Sequence, residues 1–109
     1  EATSEKIAMG WYLDGKVSAV VGTHTHVPTA DEKILPKGTA FISDLGMTGP
    51  HESILGRKIE CVLKAVVTQM PTRFEVAEKD VRINGVKIVV DSQTGRAESI
   101  KRVEVKEGD

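Results

Sequence analysis

Two histidines, His24 and His26, stand one residue apart, directly after an apolar run at residues 17–21. Residues two apart in extended backbone point to the same face, so both imidazoles could reach one metal cluster. Gly22 and Pro28 bound the segment, and proline cannot continue a central strand. Polar side chains that follow a buried strand are typical of sites in α/β proteins. The spacing predicts either a metal site or two ordinary loop histidines, one capping and one solvated.

The ten residues 22–31, GTHTHVPTAD, carry these histidines. They resemble the last metal-binding motif of the calcineurin-like metallophosphoesterases, usually written G-H-x-H. The segment is still more similar to the form found in the YmdB-like branch, the 2′,3′-cyclic-nucleotide phosphodiesterases. Residues 42–50 and 73–77 resemble the same branch. The resemblance covers nearly the whole chain, and its ten central residues are highly specific.

This resemblance implies both a fold and a reaction. The fold would be α+β: the C-terminal portion of the metallophosphoesterase β-sandwich flanked by helices, with two helices and a mostly antiparallel C-terminal meander. Residues 1–109 would be part of a single metallophosphoesterase domain whose N-terminal half is absent. The full-length protein would hydrolyse 2′,3′-cyclic nucleotides or related phosphodiesters, so its expected partner is a small-molecule phosphodiester substrate.

The family also implies cofactors and ligands. Its members hold two divalent metal ions that clamp the phosphate. By resemblance His24 and His26 are metal ligands, one on each ion, and iron, manganese or zinc would suit a mixed nitrogen and oxygen ligand set. The family's other ligands and its catalytic residues match nothing in this chain and are expected upstream. Little or no bound metal and no activity are therefore expected of these 109 residues alone.

Two alternatives stay open at this point. In the first, the chain is a non-catalytic scaffold or interaction module, because its long meander could pair edge to edge and uncovered apolar surface would favour self-association. In the second, His24 and His26 from two chains complete one mononuclear site across a symmetric interface.

Composition excludes several classes of function. Fifteen Lys and Arg residues face sixteen Asp and Glu residues, so the net charge of −1 predicts no strong attraction to nucleic acid or to an anionic membrane. No apolar run approaches the length of a membrane span. The single cysteine, Cys61, cannot form an internal disulfide and fits a reduced core thiol, which indicates a cytoplasmic protein.

Simple periodicities predict the elements that position the histidine segment. Residues 1–13 read as a helix that packs on a sheet through Ile7, Ala8, Trp11 and Tyr12. Residues 17–21 and 39–43 read as two buried strands. The Gly-rich residues 46–51 predict a tight connection that needs glycine dihedrals, in preference to a phosphate cradle.

The second half of the chain reads as scaffold. Residues 53–68 predict a second helix, buried through Ile59, Val62, Leu63 and Val66. A period-two pattern follows from Arg73 onward. Asn84-Gly85 predicts a type I′ hairpin turn, and Thr94-Gly95 predicts another turn before a last strand.

Overall fold

A three-stranded sheet carries the histidine segment. Its strands are β1 (Ala19–Val21), β2 (Lys33–Ile34) and β3 (Ala40–Ile42), in the order β1-β3-β2. β1 pairs with β3 in parallel, β2 pairs with it antiparallel, and every residue of the central β3 is buried. The predicted burial of residues 39–43 is confirmed. β1 is an edge strand and is only half-buried, so its predicted full burial is wrong.

The computed structural model describes residues 2–108, and the described chain forms two compact units. The first takes the chain up to Gly46 together with residues 84–103, and the second takes residues 47–83 together with the chain from Glu104. Within the described residues no helix is both long and apolar enough to span a bilayer.

The first helix, α1 (Thr3–Leu13), is confirmed with its predicted end, but it begins at Thr3 because Ala2 is extended; Glu1 lies outside the described residues. Its buried position is Gly10, and a Cβ added there would lie 2.6 Å from Cδ1 of Phe41. The predicted contact through Trp11 and Tyr12 is wrong, because these side chains are 51% and 71% exposed. The helix approaches the sheet at the position where its backbone is bare.

The second helix, α2 (Ile59–Thr68), begins later than predicted and has no buried residue. Leu55 and Gly56 have positive φ values of 51° and 92°, so the chain before α2 turns instead of continuing as a helix. The predicted burial of its apolar stripe is wrong: Leu63 is 50% exposed. Cys61 is half-buried and does not lie in a core.

A second sheet contains β4 (Gly49–Pro50), β5 (Val81–Val90) and β6 (Ala97–Lys106), in the order β4-β5-β6. β4 pairs antiparallel with the start of β5. The six residues between β5 and β6 are too few for a parallel crossover, so these strands are antiparallel as well. An α+β architecture with two helices and a largely antiparallel C-terminal part is confirmed.

The two predicted turns have opposite outcomes. At Thr94-Gly95 the turn is confirmed, with φ of 75° at Gly95 and its N–H donating to the Asp91 carbonyl at 2.8 Å. The hairpin at Asn84-Gly85 is wrong, because β5 runs straight through it and Gly85 has no positive φ. A type I′ turn needs positive φ at both central residues.

Candidate metal-binding loop

His24 and His26 lie in the loop that follows β1, and both side chains are exposed. Their φ values are 124° and 69°, in the left-handed half of the backbone map. A residue other than glycine in a sparsely populated region costs about 1–3 kcal/mol, and such residues cluster at functional sites. The surrounding structure must therefore hold this backbone in place. We call residues 22–31 the histidine loop.

Asp44, which follows β3, binds the histidine loop between its two histidines. One carboxylate oxygen accepts hydrogen bonds from the backbone N–H and the hydroxyl of Thr25, each at 2.8 Å. The other accepts the backbone N–H of Gly46 at 2.9 Å. The Asp44 side chain is only 1% exposed. This carboxylate therefore fixes the backbone that carries both imidazoles.

Lys6 of α1 connects the helix to the same loop. Its ammonium group donates to the Thr23 carbonyl at 2.6 Å and lies 3.4 Å from an Asp44 carboxylate oxygen. The cation lowers the cost of keeping a charged carboxylate out of water. The helix, the end of the strand and the histidine loop thus meet at one partly buried ion pair.

The protonation of Asp44 follows from these contacts. Burial raises the pKa of the Asp44 carboxyl, but hydrogen bonds from the backbone of Thr25 and Gly46, from the Thr25 hydroxyl and from Lys6 outweigh it. The net pKa is lowered, so the group stays ionised at neutral pH.

A second set of hydrogen bonds holds the far end of the histidine loop. The Thr29 hydroxyl donates to Asp31 at 2.6 Å and accepts the Asp44 N–H at 3.0 Å. Asp31 also accepts the Ser43 N–H at 3.1 Å. Burial raises the pKa of Asp31, and its bonds from Thr29 and Ser43 lower it by more.

The imidazoles of His24 and His26, in contrast, make no hydrogen bond within the described chain. The nearby carboxylates of Asp31 and Asp44 are occupied by backbone and hydroxyl donors. No group of three or more His, Cys, Asp or Glu side chains within the described chain is arranged to hold a metal ion.

These observations fit one part of a metal site. His24 and His26 offer free nitrogen ligands, which suit iron, manganese or zinc. A closed zinc site needs about four ligands, and two imidazoles supply at most two of them.

Sequence patterns located the histidines but missed how they are held. Asp44 and Lys6 lie 19 and 17 residues from the loop residues they contact, and no local pattern pairs such distant positions. One signal was present: Asp44 is a charged residue directly after an apolar run. Buried charges are rare unless they are paired, so a carboxylate there could have been examined as an anchor.

Comparison with known proteins identifies the family of the chain. Residues 1–103 match the family described as YmdB-like protein. A Bacillus subtilis (strain 168) protein named 2′,3′-cyclic-nucleotide 2′-phosphodiesterase is 58% identical over 103 residues, which are 94% of this chain and 39% of that protein. The chain therefore spans about two fifths of the length of this relative.

Two solved structures share the fold with a TM-score of 0.88 each. One is a Thermus thermophilus protein described as hypothetical, 45% identical, with 98% of this chain and 42% of the other covered. The other is described as a novel phosphatase from Mycoplasma pneumoniae, 38% identical, with 97% and 38% covered. Since the family match extends over nearly all of the sequence, this chain belongs to the YmdB-like family.

Proposed function

We propose that the protein containing this chain is a metal-dependent phosphodiesterase, and that His24 and His26 are two of its metal ligands. The observation that carries the proposal is the histidine loop: two imidazoles without partners in the described chain, on backbone with positive φ, held by a buried carboxylate. The 58% identity to a protein named as a cyclic-nucleotide phosphodiesterase supports the reaction class.

The chain's own residues have separate roles in this proposal. His24 and His26 would each bind a metal ion through an unprotonated ring nitrogen, because a proton on that nitrogen would compete with the metal. Asp44 and Lys6 would position the loop through their hydrogen bonds to Thr25 and Thr23. Bound divalent metal ions would supply Lewis acidity toward the phosphate group. Residues 1–109 would then form part of a single metallophosphoesterase domain that holds two such ions.

The proposed substrate is a 2′,3′-cyclic nucleotide or a related small phosphodiester. The reaction replaces one phosphorus–oxygen ester bond with a bond to the oxygen of water, and the leaving oxygen takes up a proton.

The test uses His24→Ala and His26→Ala in the full-length protein. Each variant should lose metal and lose at least about 100-fold in turnover of a 2′,3′-cyclic nucleotide, since even residues that only orient a ligand are worth about 10–100-fold. Metal content is measured by mass spectrometry and turnover by product formation. His51→Ala is the matched control, because it removes the third histidine of the chain, outside the loop. Full metal occupancy with near wild-type turnover in both loop variants would refute the assignment.

A further inference from the structure

We propose that a cavity of about 310 Å³ at the other end of β1 binds the phosphate group of a small anion. Its lining includes Val17 and Ser18, which precede β1, whereas the histidine loop follows β1. The site is therefore separate from the candidate metal ligands. Cavities of this volume are within the usual range for small-molecule sites.

Three cations line this cavity: Lys16, Lys37 and Arg96. None of them is paired with a carboxylate within residues 2–108. The Lys16 ammonium lies 4.5 Å from the centroid of the Tyr12 ring, a cation–π contact that does not neutralise its positive charge. Positive charges gathered around one cavity attract an anion, because their electrostatic potentials add there.

The side chains of Lys37 and Arg96 pack against glycine backbone. At Gly15, with φ of 85°, an added Cβ would lie 2.9 Å from Cβ of Lys37. At Gly38, with φ of 95°, it would lie 2.8 Å from Cγ of Arg96. Both side-chain stems thus rest directly on bare backbone. The Ala97 N–H donates to the Gly38 carbonyl at 2.7 Å, which joins the two segments that carry Lys37 and Arg96.

Two acidic side chains close in sequence to the lining residues, Asp14 and Asp91, accept backbone N–H groups. Asp14 is buried and accepts the backbone N–H groups of Lys37 at 3.0 Å and Thr39 at 3.3 Å. Asp91 accepts the N–H groups of Gln93 and Thr94. Neither carboxylate lines the cavity.

A neutral donor completes the lining. The Thr94 hydroxyl accepts the Arg96 N–H at 3.2 Å, which leaves its own proton available for a ligand oxygen. Three cations and a hydroxyl match the acceptor oxygens of a phosphate group, for which charge-assisted hydrogen bonds are the strongest.

The test measures the binding of inorganic phosphate and of adenosine 5′-monophosphate by calorimetry at low ionic strength. It uses the full-length protein carrying His24→Ala and His26→Ala, so that binding at the candidate metal centre does not contribute. Adding Lys37→Gln and Arg96→Gln, which keep the side-chain stems, should weaken binding at least about tenfold. Adding Lys87→Gln and Lys101→Gln instead, a charge-matched pair outside the cavity, should leave binding unchanged.

Both possible sources of the phosphate group are distinguished by the same titrations. Equal affinity for the two probes indicates a site for free phosphate, and tighter binding of adenosine 5′-monophosphate indicates a nucleotide site. The proposal is wrong if neither probe binds at millimolar concentration. It is also wrong if the Lys37 and Arg96 substitutions have no effect, or if the control pair weakens binding equally.

Discussion

Asp44 is a buried carboxylate that accepts hydrogen bonds from three places. The donors are Thr25 of the histidine loop, Gly46 two residues further along the chain, and Lys6 of α1. Removing it would leave the Thr25 and Gly46 N–H groups without their acceptor. Asp44→Ala should therefore lower the free energy of unfolding by about 3 kcal/mol, the upper end for lost hydrogen bonds to a charged group. Urea unfolding measures this change. Glu98→Ala, at an exposed position of β6, is the control and should stay within about 0.5 kcal/mol.

The same carboxylate predicts how stability depends on pH. The pKa values of Asp44 and Asp31 are lowered in the folded state, so their stabilising contribution is complete above the unfolded value of about 3.9. It is lost as the pH falls through the lower folded values. The urea midpoint of the wild type should drop between about pH 5 and about pH 3. Asp44→Asn should show a smaller drop, and equal slopes would contradict the proposed ionised state.

At the scale of the elements, a substitution in β5 distinguishes the continuous strand that is observed from the hairpin turn that Asn84-Gly85 predicts. Gly85 lies inside the strand, and an added Cβ would meet nothing within 4 Å. Gly85→Ala should therefore raise the free energy of unfolding by about 0.5–1 kcal/mol, because glycine loses more entropy on folding.

Gly95→Ala is the matched comparison for that variant. Gly95 has φ of 75° in the turn between β5 and β6, so the substitution should destabilise the protein by about 1 kcal/mol. Thermal unfolding of both variants measures the sign of each change in stability. Destabilisation at Gly85 comparable to that at Gly95 would favour the turn that the Asn84-Gly85 pattern predicts.

For the molecule as a whole, exposed apolar side chains are the prominent feature. Trp11, Tyr12, Leu63 and Val66 are all at least half exposed. A polypeptide of these 109 residues alone should self-associate, bind little metal and lack phosphodiesterase activity, because two imidazoles do not make a closed ligand set. Native mass spectrometry and an assay with added manganese test the three expectations.

Two variants of that polypeptide distinguish association through the apolar stripe of α2 from association through a shared metal ion. Leu63→Gln with Val66→Gln should reduce self-association if the exposed α2 stripe drives it. His24→Ala should leave association unchanged. A dimer that forms only with metal and is lost in His24→Ala would indicate the mononuclear two-chain site instead. An active, metal-loaded monomer would contradict the expectation of inactivity.

Features that depend on neighbouring residues were predictable without a structure. The apolar run at residues 39–43, the helix at Thr3–Leu13, the turn at Thr94-Gly95 and the pair of loop histidines each follow from a local pattern. Local spacing limits which backbone conformations are cheap, so it predicts where elements begin and end.

Features that depend on distant partners required the tertiary structure. The face of α1 that is buried is decided by the Phe41 ring, which lies against Gly10. β5 continues through Asn84 and Gly85 as a strand of the second sheet. The positive φ values of the loop histidines are maintained by Asp44 and Lys6, which come from another strand end and from a helix. Such contacts join residues 17 to 31 positions apart, and their energy outweighs local preference only after the chain has folded.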